Sequence, residues 1–66
     1  MEKLNVVIAD DQPIVLLGVR ELVERDERFH VAGEAVCSNE LINLLERHPI
    51  DLVITDFNMP ANSPYG

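Results

Sequence analysis

Along the chain, apolar and polar residues fall into five runs separated by short polar interruptions. Leu4 to Ala9 reads Leu-Asn-Val-Val-Ile-Ala, short, β-branched and nearly all apolar. Such a run marks a strand covered on both faces. Asp10, Asp11, Gln12 and Pro13 interrupt it. Proline suits the first turn of a helix, so Asp11 or Gln12 is the predicted N-cap of a helix from Ile14 to about Glu24. Val15, Val19, Leu22 and Val23 form its apolar stripe. Arg20, Glu21, Glu24 and Arg25 form its wet side, with Glu21 and Arg25 spaced for an i,i+4 ion pair. Gly18 is expected to permit close packing.

Phe29 to Val36 predicts a second strand. Phe29, Val31, Gly33 and Ala35 alternate with His30, Ala32 and Glu34, so one face is less covered, as at a sheet edge. His30 is expected to be exposed, and Gly33 to mark a bulge or a close approach. Ser38 is the expected N-cap of a second helix, about Asn39 to Arg47. Leu41, Leu44, Leu45 and His48 lie at i, i+3, i+4 and i+7 on it. Pro49 ends it. Ile50 to Thr55 is a third strand, with Leu52, Val53 and Ile54 consecutive, and Asp56 stands at its end. Residues 57–66 read as loop, with Met59 packing. The order β-α-β-α-β implies an α/β fold with a parallel sheet and right-handed crossovers. In such sheets ligands gather beyond the carboxyl ends of the strands.

Charge narrows the functions open to this fold. Lys+Arg is 5 against Asp+Glu 12, a formal net charge of −7. Nucleic-acid affinity rests on cations neutralising phosphates, so these residues are poor nucleic-acid binders. An anionic membrane surface is disfavoured for the same reason. No apolar run approaches the roughly 18 residues of a membrane span, and the first residues lack the pattern of a signal peptide. The cytoplasm is the expected compartment, where the single cysteine, Cys37, stays a reduced packing residue.

The acidic residues carry the candidate chemistry. If the first and third strands are parallel neighbours, Asp10, Asp11 and Asp56 meet at one edge, because strands lie about 4.8 Å apart. Their mutual repulsion is relieved either by a raised pKa or by a bound cation. An all-oxygen ligand set favours a hard ion such as Mg²⁺. A carboxylate beside such an ion is also a competent nucleophile toward a phosphoryl group. A dinucleotide-binding Gly-x-Gly-x-x-Gly, a P-loop, and an Asp-x-Asp after the first strand are all missing. A Mg²⁺-dependent phosphohydrolase of another α/β family therefore fits less well.

Three segments carry a family likeness: Val6 to Arg20 around Asp10-Asp11, Val31-Ala32-Gly33-Glu34, and Asp51 to Pro60 around Asp56. Together they resemble the first half of a response-regulator receiver domain of the NarL/LuxR type. The resemblance implies a flavodoxin-like (CheY-like) fold, here residues 1–66 as a truncated receiver. Asp56 would be the phosphoacceptor of a two-component phosphorelay controlling transcription, and the module would not be an enzyme in its own right. Asp10, Asp11, Asp56 and the backbone carbonyl of Asn58 would hold Mg²⁺. The donor would be a histidine kinase or a phosphotransfer protein. Gln12 stands where this group often has histidine.

A whole receiver continues to a fourth and a fifth strand, with a switch Ser/Thr, a Lys and, in this group, a DNA-binding domain. None of these lies within residues 1–66. Lys3 is no substitute, since seven strand residues put it roughly 23 Å from the acidic edge. With only three strands, Leu52-Val53-Ile54 would form an open edge. The expected consequences are impaired phosphorylation and either self-association or pairing with a full-length regulator. An inactive or purely interacting fragment is the alternative to a phosphoacceptor.

Overall fold

The computed structural model describes residues 2–63 and Tyr65. The loop expectation for Pro64 and Gly66 lies outside the described residues. Three parallel strands and two helices alternate: β1 (Leu4–Ala9), α1 (Pro13–Glu24), β2 (Phe29–Ala35), α2 (Ser38–Arg47) and β3 (Leu52–Thr55). The strand order is β2-β1-β3. The all-apolar run Val6–Ala9 is thus the central strand, and its four residues are buried. Val6 and Ile8 face α1 and form one cluster with Leu16 and Val31. Alternation along the strand turns Val7 and Ala9 to the opposite face.

β2 lies at an edge, as its alternation predicts, and His30 is exposed. Its ladder with β1 slips by one residue: Val6 faces Val31 and Val7 faces Gly33, so Ala32 bulges out. A Cβ on Gly33 would lie 2.8 Å from Leu44 Cδ2. The glycine therefore lets α2 close onto the sheet. β3 is the other edge, and Leu52 and Ile54 remain 43% and 37% exposed. The strand is two residues shorter than the apolar run suggests. Asp51 instead turns back to β1, where its carboxylate accepts the Asn5 amide at 2.7 Å.

Four further expectations need correcting. The covered stripe of α1 contains Leu16, Val19 and Val23, whereas Leu22 is 66% exposed. Three leucines and four β-branched residues crowd this helix, and sequence spacing alone admits more than one stripe. Gly18 has nothing within 4 Å of an added Cβ and makes no close packing. The ion pair on α1 is Arg20 with Glu24, and Arg20 also reaches Glu34 on β2. Arg25 is the C-cap, past the last helical turn. Lastly, Cys37 rather than Ser38 caps α2, and it makes no side-chain cap bond. The amides of Ser38 and Asn39 donate instead to the carbonyls of Pro60 and Ala61, at 2.8 and 3.0 Å. The chain after β3 thereby satisfies two of the amides that the first turn of the helix leaves without an intrahelical partner.

Candidate functional site

Asp10 and Asp11 follow directly on β1, and Asp56 follows directly on β3. These strands pair in register, with Ala9 opposite Thr55. The next backbone bond, from the Asp56 amide to the Ala9 carbonyl at 3.1 Å, carries the pairing one residue further. All three acids are half-buried, and each offers a carboxylate oxygen within 4.8 Å of the other two. At that separation, two unit charges repel by about 3 kcal/mol at an effective dielectric near 20. Among the described residues, no ion pair involves any of the three.

Local bonds orient two of the carboxylates. Asp10 Oδ1 accepts the Gln12 amide at 2.9 Å, just before the first turn of α1. Asp56 Oδ1 accepts the Asn58 amide at 3.2 Å, which turns the chain sharply after β3. Asn58 itself is exposed in that turn. Asp10 and Asp56 border a groove of about 240 Å³ between α1 and β3, lined also by Val15, Val19, Ile54 and Thr55. A second groove of about 290 Å³ lies between β2 and α2. It mixes Glu34 and Glu40 with Arg47 and shares no residue with the acidic pocket.

The donor set suits a hard divalent cation. Mg²⁺ binds oxygen at about 2.0–2.1 Å. Carboxylate oxygens spread by up to 4.8 Å would have to draw closer to share one such ion. Among the described residues no thiol or imidazole joins the cluster to favour a softer metal.

The sequence matches the family described as "Response regulator receiver domain" over residues 6–63. The chain belongs to the receiver domain family. This receiver is 46% identical over 66 residues to the transcriptional regulatory protein RcsB of Escherichia coli K12, covering all of this chain and 30% of the relative. The chain thus spans about a third of the length of the curated relatives it matches. It superposes on the non-phosphorylated receiver domain of RcsB from Escherichia coli with a TM-score of 0.85 at 45% identity. That match covers 98% of this chain and 49% of the other. RcsB from Salmonella enterica serovar Typhimurium, bound to a promoter in the presence of the phosphomimetic BeF3⁻, also gives 0.85 at 44% identity. There 92% of this chain and 30% of the other are covered. The flavodoxin-like fold, the two-component class and the RcsB-type likeness all follow.

Two features of the pocket's surroundings escape a reading of the sequence. One is the docking of residues 60–62 on the N-terminus of α2. The other is a hydrogen bond from the Tyr65 hydroxyl to the Asp11 carbonyl. Both join residues far apart in the chain, and no periodicity announces them. The one local signal is the pair of asparagines, Asn58 and Asn62, in the loop after β3.

Proposed function

We propose that the chain is a phosphoacceptor module of a two-component regulator, taking a phosphoryl group on Asp56. The observation that carries this reading is the clustering of Asp10, Asp11 and Asp56, three half-buried carboxylates with no basic partner among the described residues. Asp10, Asp11, Asp56 and the Asn58 backbone carbonyl would hold Mg²⁺. When bound, the ion offsets charge on the phosphoryl oxygens. An Asp56 carboxylate oxygen forms a bond to phosphorus as the bond from phosphorus to the donor breaks, and the donor leaves with that electron pair. The donor is a histidine kinase or a phosphotransfer protein, and the setting is cytoplasmic. Among the described residues no helix is long and apolar enough to cross a membrane. The excess of acids argues against direct DNA contact by these residues. The role is that of a phosphorylated partner rather than a turnover enzyme.

Acetyl phosphate with Mg²⁺ tests the reading. A mass gain of about 80 Da, one phosphoryl group, is expected and should vanish in Asp56→Asn. No gain, or a gain that survives the substitution, overturns it. A second reading is favoured by the exposed Leu52 and Ile54 on the β3 edge. In it the chain is a truncated receiver, residues 1–66, that pairs with itself or with a full-length regulator without accepting phosphate. Absence of the mass gain together with a concentration-dependent dimer would support it.

A further inference from the structure

The segment after β3 is fastened on both sides of the acidic pocket. On the α2 side, beside the two amide bonds to Pro60 and Ala61, the Asn39 side chain donates to Asn62 Oδ1 at 2.8 Å. On the α1 side, the Tyr65 hydroxyl donates to the Asp11 carbonyl at 2.5 Å. The α1 ladder begins one residue later: the Gln12 carbonyl accepts the amides of Val15 and Leu16. The helix therefore leaves the Asp11 carbonyl to another donor, and among the described residues the phenol supplies it. Tyr65 is 63% exposed. Its ring contributes little to the core, so the hydroxyl contact is its distinguishing interaction.

We propose that Tyr65 is a positioning residue of the acidic pocket. Its hydroxyl ties the segment after β3 to the peptide of Asp11, and the Asn39–Asn62 bond holds the same segment on α2. Together they limit how far the loops bearing Asp11 and Asp56 can separate. Three like charges push those loops apart, and a cation must draw them together. A loop already tied loses less freedom when the ion binds. The inference rests on the divalent-cation reading of the pocket given above.

The test is Mn²⁺ binding to the full chain, read from the electron paramagnetic resonance of the free ion. Tyr65→Phe removes only the hydroxyl. It is expected to weaken Mn²⁺ binding about three- to tenfold, the range for one lost hydrogen bond, with a smaller fall in metal-free stability. Asn62→Ala is expected to weaken binding similarly. Tyr65 is the single tyrosine and the chain has no tryptophan, so its emission is a direct probe. Mn²⁺ should quench it saturably in the wild type, and at higher concentration in Asn62→Ala. Wild-type affinity in Tyr65→Phe overturns the proposal while leaving the cation site intact. Lost affinity accompanied by an equal loss of stability also overturns it, because the role is then structural. No saturable binding by the wild type overturns the cation reading and this inference together.

Discussion

The orientation of α1 can be tested with two leucines six residues apart. Leu16 is 5% exposed and sits in one cluster with Val6, Ile8 and Val31. Truncating a buried leucine to alanine costs about 2–5 kcal/mol, from lost transfer energy plus the cavity left behind. Net stability of about 0.05–0.15 kcal/mol per residue gives a chain of this length roughly 3–10 kcal/mol in total. Leu16→Ala therefore removes a large share of the stability, and toward the lower limit all of it. Leu22 is 66% exposed. Leu22→Ala should change stability by no more than about 0.5 kcal/mol. Alanine also keeps a high helix propensity there. Urea unfolding followed by far-ultraviolet circular dichroism resolves the difference, which exceeds the roughly 1.4 kcal/mol of a tenfold change in equilibrium. Equal costs at the two positions, or a larger cost at Leu22, would show that α1 buries the other stripe.

Gly18→Ala should stabilise the chain by about 0.5–1 kcal/mol, because an added Cβ meets open space and alanine is the better helix former; a lowered urea midpoint would contradict the open site. Asp26 carries the clearest acid dependence. Hydrogen bonds from the Arg28 side chain, then from its backbone, lower its pKa from 3.8 to about 2. A group lowered on folding stabilises above its unfolded pKa, and that contribution is lost as pH falls through about 2. Asp26→Asn should therefore flatten the acid limb of the urea midpoint between about 3.8 and 2, and parallel wild-type and variant curves would refute this. Mg²⁺ should raise the thermal midpoint of the wild type by mass action and leave Asp11→Asn unchanged. Without Mg²⁺, Asp11→Asn should be the more stable chain by about 1–2 kcal/mol, the share of carboxylate repulsion that solvent does not screen. Asp51→Ala removes the carboxylate that accepts the Asn5 amide, so it should cost about 1 kcal/mol and speed amide hydrogen exchange along β3.

The elements were legible where one physical requirement decided them. Val6–Ala9 had to be central because only a strand covered on both faces suits four consecutive apolar residues. Pro13 located the start of α1 through its fixed φ, and Gln12 is the cap. Gly33 signalled a bulge or a close approach, and both occur there, the slip at Ala32 and the contact with Leu44. The reading failed where several residues competed for one role. α1 has more apolar positions than one stripe can use, so spacing did not separate Leu16 from Leu22. Ser38 looked like a cap because its hydroxyl suits that role locally. The helix instead starts at Ser38 itself, with its first amides bonded to the carbonyls of Pro60 and Ala61, more than twenty residues later.

The acidic site follows from topology more than from any single residue. Order β2-β1-β3 makes the ends of β1 and β3 adjacent, so acids nearly fifty residues apart converge without a connecting motif. That convergence depends on one ladder of four residue pairs, Val6 with Leu52 through Ala9 with Thr55. At its far end Asn5 holds the entry to β3 by three bonds: its amide donates to the Asp51 carboxylate, its carbonyl accepts the Asp51 amide at 2.9 Å, and its side chain donates to the Pro49 carbonyl at 2.9 Å. At its near end the Asp56 amide closes on Ala9. Leu52 and Ile54 between them are exposed and add less burial than a central strand would. Hydrogen bonds and local turns therefore hold Asp56 opposite Asp10 and Asp11, and packing contributes the smaller part. A cation bound by all three acids would cross-link the ends of β1 and β3. Cation binding and the seating of β3 are then linked equilibria, each favouring the other.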